Sequence, residues 1–163
     1  MGEILNNMQL HTKNTRWIIR TFIIALMIAV VCISARFFYE KYLLSQKNLD
    51  LAYVENVYKM QFWGGWNAEL TDEEYINRIM KLLPNAKATN MNRYEDLGGQ
   101  DYTVYIYYTD ENGDNEVESF EVIRDKKKYY IEPFYTGEVW QIDEDLYQLL
   151  FETTIKLRAG ELN

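Results

Sequence analysis

The residues able to do chemistry in this chain are carboxylates, lysines and aromatics. Its only histidine is His11 and its only cysteine is Cys32, both N-terminal to the polar part of the chain. A zinc or haem site built on His and Cys, a Ser-His triad or a Cys nucleophile paired with a histidine therefore has no material there. One cysteine also excludes an intramolecular disulfide.

The carboxylates fall in three groups. Asp110-Glu111-Asn112-Gly113-Asp114, continued to Glu116, has the density of a Ca²⁺ loop. Its glycine comes fourth rather than sixth, and no distal Glu follows at EF-hand spacing, so a polar hairpin tip is the expectation. Asp143-Glu144-Asp145 could serve as paired acids, but all three suit the first turn of a helix. Glu95, Asp96 and Asp101 flank Gly98-Gly99, where solvated loop charge is the expectation beside a binding loop. Lys126-Lys127-Lys128 is too short for a nucleic-acid patch and suits a soluble turn. No Gly-rich phosphate motif is present, and neither a catalytic site nor a cofactor site is expected.

The aromatics carry the functional expectation. Trp63, Trp66 and Trp140, with Tyr135, could form a platform for sugar or peptide ligands or a partner surface. Burial of these rings in a core is the competing reading.

The elements that would position them follow from patterning. Thr21 to Ala35 is free of charge, and Trp17 and Phe37-Phe38-Tyr39 extend it as aromatic belts. Arg20 and Arg36 can snorkel to the interfaces. A transmembrane helix over 17–39 results, after a cytoplasmic tail over 1–16 and before a helical stalk over 40–52. Lys13, Arg16 and Arg20 face Arg36, Lys41 and Lys47 across the span, with Glu40 offsetting the second set. The balance favours a signal-anchor in the cell membrane, N-terminus inside and domain outside. Cleavage after Ile33-Ser34-Ala35, and lipidation of Cys32 despite the bulky Val31 before it, remain as alternatives.

Residues 53–163 read as one acidic domain. Up to Lys47 there are six Lys/Arg against two Asp/Glu, +4; from Asn48 there are eleven against 23, −12. That field repels phosphate backbones and argues against nucleic acid as a partner. Val54 to Trp63 alternates as a strand, and Trp63-Gly64-Gly65-Trp66 marks a turn. A helix then opens with Thr71 as N-cap and Glu74 completing a capping box, and Pro84 stops it. Lys87 to Arg93 is a short strand. Tyr102 to Tyr108, Val117 to Arg124 and Tyr129 to Glu132 form a meander through the Asn112-Gly113 and lysine turns. Phe134 to Ile142 is a loop or short strand. Asp143 caps a last helix with Leu146, Leu149, Leu150, Thr153 and Leu157 inward and Gly160 as its stop. The fold class is α+β: an N-terminal transmembrane helix, then an antiparallel sheet of at least three strands packed against two helices.

Three stretches also carry a resemblance. They are Asn85-Ala86-Lys87-Ala88-Thr89-Asn90 after the helix opened by Thr71-Asp72-Glu73-Glu74; Phe120-Glu121-Val122 with Lys128-Tyr129-Tyr130-Ile131-Glu132-Pro133; and Trp140-Gln141-Ile142-Asp143-Glu144-Asp145-Leu146-Tyr147 with Leu149-Leu150. Over Val54 to Phe151 the chain resembles a family of small extracytoplasmic domains of unknown function in Gram-positive Firmicutes. These are held by a lipid or a single helix, alone or attached to membrane peptidase-type sensors. Its Pro133 to Trp140 loop is one residue longer than the family's Pro-Tyr-x-Gly pattern. The resemblance implies a fold class and an extracytoplasmic location, and no catalytic residues.

The functional expectation is a membrane-anchored extracytoplasmic binding or sensing module, not an enzyme, in contact with the lipid bilayer. The alternative is an accessory subunit of a membrane assembly for transport, export, conjugation or immunity, with a protein partner in the membrane or envelope.

Overall fold

The structure is a computed structural model describing residues 2–93, 97–99, 101–134 and 136–162; the side chains of 2–16, 52 and 53 lie outside the description. The chain divides into two compact units, Met1–Leu43 and Leu44–Asn163.

The first unit belongs to one helix, α1 (Gly2–Ser45). No Pro or Gly interrupts it after Gly2, so nothing breaks the hydrogen-bond ladder. Thr21 Oγ1 bonds back to the Trp17 carbonyl at 3.0 Å, and Arg36 Nε pairs with Glu40 one turn on at 2.9 Å. Within α1, Trp17–Ser45 is 29 residues with mean hydropathy 2.5 and none of its most apolar window buried. At 1.5 Å per residue it is about 43 Å long, more than a hydrocarbon core of about 30 Å requires. The helix is long and apolar enough to cross a membrane, and it runs past Tyr39.

The second unit is α+β. Seven strands form one antiparallel sheet: β1 (Val57–Trp63), β2 (Asn67–Leu70), β3 (Lys87–Asn92), β4 (Tyr102–Thr109), β5 (Asn115–Asp125), β6 (Lys128–Pro133) and β7 (Glu138–Ile142). Their order in space is β2-β1-β4-β5-β6-β7-β3. Among the described residues two longer helices complete the unit, α2 (Glu73–Leu82) and α3 (Glu144–Ala159).

Strand order decides which surface is covered. From β2 at one edge the chain passes through α2 to β3 at the other edge, beside β7. It must then return to β4, in the interior of the sheet next to β1. On one face, α2 and α3 cover Met60, Phe62, Leu70, Val104, Ile106, Phe120, Val122, Ile131 and Trp140, the main core. On the other, Leu97 of the returning connection packs on Ile123, Tyr130 and Val139, with Met91 beside them. There Leu97 covers Ile123 of β5, Tyr130 of β6 and Val139 of β7, while Asn115 to Glu118 of β5 are exposed; β1 and β2 contribute nothing to this cluster.

Several local expectations change. The glycine turn closes a hairpin: Met60 pairs with Leu70 and Trp63 with Asn67, forming β2 where a direct passage into the helix was expected. Gly65 takes φ +72°, and a Cβ on Gly64 would stand 2.6 Å from Tyr102 Cβ. Because β2 holds the chain extended to Leu70, the helix starts later than expected. Asp72, not Thr71, is the N-cap, accepting from Tyr75 N at 3.2 Å, and Glu74 moves into the first turn. Asn56 at φ +53° separates Val54 from β1. The segment read as a stalk leaves the helix at Ser45 and makes a 3-10 turn over Asp50–Tyr53, with Leu49 and Leu51 buried in the core. Phe134 to Ile142 yields β7, which extends the meander to four strands. Asp143 caps α3 as expected, accepting from Leu146 N at 2.9 Å, and Gly160 closes it at φ +71°.

Candidate functional site

Alternation along β1 sends Met60 and Phe62 into the core and Lys59, Gln61 and Trp63 to the opposite face. In β4, Val104 and Ile106 go in, and Tyr105 and Tyr107 come out beside them. Register completes the arrangement: Gln61 stands opposite Tyr105 and Lys59 opposite Tyr107, while Trp63 faces Asn67 of β2. Diagonal neighbours then touch.

Trp63 and Tyr105 have ring centroids 6.4 Å apart and are tilted by 54°, a shallow V. Trp63 is 56% exposed. Tyr107 Oη donates to Gln61 Oε1 at 2.9 Å, and Gln61 Nε2 donates to Asn67 Oδ1 at 2.9 Å, so the Gln61 amide is fixed in one orientation. Lys59 Nζ lies 4.3 Å above the Tyr107 ring and pairs with Glu69 at 3.3 Å. Val117, opposite Tyr107, is 51% exposed. Phe134 joins from the β6 side through its N–H to the Ser119 carbonyl.

The expected tryptophan platform is not assembled. Trp140 is 2% exposed, lies on the core face, and stands four strands from β1. Trp66 is half-buried against the core with the Arg158 guanidinium 4.3 Å over its ring. Tyr135 lies outside the described residues. Of the described residues of the expected set, Trp63 alone is on the open face. Tyr105, Tyr107 and Gln61 replace the others; the i, i+2 spacing of Tyr105 and Tyr107 was the available signal.

In each carboxylate group one aspartate makes local structural hydrogen bonds. Asp110 accepts from Asn112 N, Asn112 Nδ2 and Asp114 N at 2.8–3.0 Å, and the Asp114 N–H above all holds its carboxyl below the usual range. Asp143 is consumed by its cap. Asp101 accepts from Tyr147 Oη at 3.3 Å, with Arg124 at 3.9 Å; Glu95 and Asp96 lie outside the described residues. Lys126, at φ +56°, and Lys127 form the exposed β5–β6 turn. Among the described residues no group of three or more His, Cys, Asp or Glu is placed to hold a metal.

One charged cluster is nearly buried. Arg93 Nη2 meets Glu121 at 3.2 Å and its Nε meets Glu132 at 3.1 Å. Its Nη1 donates to the carbonyls of Gly98 at 2.6 Å and Leu97 at 3.5 Å. Burial first, and then Glu121, push the Glu132 carboxyl upward; Arg93 opposes them. This guanidinium pins the returning connection to the sheet.

No protein-family model matches the chain, and no curated protein and no solved structure matches it significantly.

Proposed function

We propose that the protein is a single-pass, membrane-anchored binding module, N-terminus inside the cell and β-domain outside, whose contact surface is the open half-face of the sheet. The observation that carries this is the Trp63–Tyr105 pair, with Trp63 more than half exposed, beside a fixed amide network on the sheet face opposite the two helices. Large aromatics left in water beside ordered polar groups are a costly arrangement for a surface without a ligand. The anchor rests on the length and apolarity of Trp17–Ser45. The outside location rests on the charge balance across that span and on the resemblance to small extracytoplasmic domains. A −12 domain resists collapse onto other acidic surfaces and disfavours nucleic acid.

The test is a photo-crosslinking residue at Val117, on the open face, compared with one at Ile155 on α3, in membranes of intact cells. Adducts at Val117 and none at Ile155 are expected. Adducts at Ile155 alone would place the contact on the helical side and favour the accessory-subunit reading.

A further inference from the structure

We infer that the open face takes an uncharged, pyranose-based oligosaccharide. This rests on the binding-module reading and adds its ligand class.

Charge is the first argument. Inside a domain of −12, the patch holds one cation and one anion, Lys59 and Glu69, and they pair at 3.3 Å. The patch is therefore neutral, which suits neither a polyanion nor a basic peptide; a basic ligand would be drawn to the acidic surface elsewhere.

Area is the second. A stable protein–protein contact buries about 800 Å² per partner around an apolar centre. Here the exposed large aromatic and apolar side chains are Trp63, Val117 and Phe134, with Tyr58 at the start of β1, separated by amides, hydroxyls and an ion pair. That is little apolar surface for a protein partner. It matches a ligand a few rings wide.

Chemistry is the third. The π face of an indole carries partial negative charge, and the polarised C–H bonds on one side of a pyranose lie flat against it. Trp63 offers such a face at the edge of the sheet. Ring hydroxyls then need planar, pre-oriented partners around the stacked sugar. Gln61 is locked between Tyr107 and Asn67 and keeps a second amide hydrogen for a ligand. The hydroxyl of Tyr105 and the amide nitrogen of Asn67 make no hydrogen bond among the described residues, and both residues reach solvent. The tilt between Trp63 and Tyr105 would place a second sugar ring at an angle to the first.

The experiment uses the full chain in detergent micelles, titrated separately with cellotetraose and N,N′,N″,N‴-tetraacetylchitotetraose and read by saturation-transfer NMR. Saturable binding of either is expected, with a dissociation constant on the order of 1 mM. The arm that binds distinguishes plain glucans from N-acetylated, wall-type glycans. Trp63→Ala should weaken binding by about tenfold or more, and Tyr105→Ala by less; Trp66→Phe should leave it unchanged. Absence of saturable binding in both arms overturns the inference, as does binding that Trp63→Ala does not weaken. If the sugars fail while Val117 still crosslinks in cells, the ligand class is wrong and the binding face stands. A protein captured at Val117 in place of a glycan has the same meaning. If both fail, the binding-module reading falls too.

Discussion

Phe62 and Trp63 are chain neighbours on β1 with opposite fates. Phe62 is fully buried beneath the two helices; Trp63 is more than half exposed on the other side. The contrast holds for the sheet as a whole. One face is a continuous apolar layer crossed by α2 and α3. The other is divided: Leu97 packs over Ile123, Tyr130 and Val139 of β5 to β7, and the outward residues of β1, β2 and the adjoining parts of β4 and β5, Val117 among them, are left open. The open half, with Trp63, Tyr105 and Tyr107, is the more aromatic of the two; the closed half adds Tyr130 to the aliphatic Leu97, Ile123, Val139 and Met91. Aromatic content alone does not mark a core. It matters whether the chain has a reason to pass over it again.

The largest difference should come from truncating the two neighbours in turn. Phe62→Ala should lower stability by about 3–5 kcal/mol, a buried ring lost with its cavity left behind. Trp63→Ala should stay within about 0.5 kcal/mol, as for an exposed position. Chemical denaturation of the full chain in detergent, followed by circular dichroism, compares them. Similar losses would mean the open face is packed after all.

Next is the clasp on the closed half. Arg93→Met leaves Glu121 and Glu132 buried without their cation and should cost about 3–5 kcal/mol. The pH dependence carries a sign. The folded-state pKa of Glu132 is raised, so its contribution is fully present below its ordinary 4.5 and is lost as pH rises through the higher folded value. Wild type should therefore gain stability relative to Glu132→Gln as pH falls from neutral toward 4.5. A gap independent of pH would show that Glu132 does not titrate in this way.

Smaller still is the hairpin that carries Trp63. Gly64→Ala sets a Cβ 2.6 Å from Tyr102 Cβ and 3.1 Å from the Asp101 carbonyl. The strand must shift, at a cost of about 1–3 kcal/mol. The shift should also disturb the Trp63–Tyr105 spacing, visible as a change in tryptophan fluorescence. The smallest is the cap of α2. Asp72→Ala should cost about 0.5–2 kcal/mol in the same denaturation assay, and Thr71→Ala clearly less.

These comparisons bear on what the sequence makes legible. Tyr102 to Glu132 could be read directly, because β-branched and aromatic runs alternate with short polar turns. α3 could be read from Asp143 and Gly160, its own ends. β2 could not: Asn67-Ala68-Glu69-Leu70 has little strand character and exists because β1 templates it through a glycine hairpin. That same pairing moved the cap from Thr71 to Asp72. Leu49 and Leu51 looked like stalk residues because only distant segments bury them. For the site, Trp63 was legible as an anchor and its partner was not. Tyr105 lies 42 positions along the chain and meets Trp63 only because β4 inserts beside β1. For Trp140 the competing reading, burial in the core, is what the structure shows. It sits on an alternating strand, and only strand order and parity put it on the covered face.

The most direct test of the account is hydroxyl-radical footprinting of Trp63, comparing the detergent-purified chain with the protein in intact cells. Trp63 at 56% exposure and Phe151 at 42% should both be labelled in the purified chain. In cells, Trp63 should be protected and Phe151 should keep its labelling. Equal labelling of Trp63 in both settings would mean the open face meets nothing, and would contradict the assignment of this surface as the one that binds.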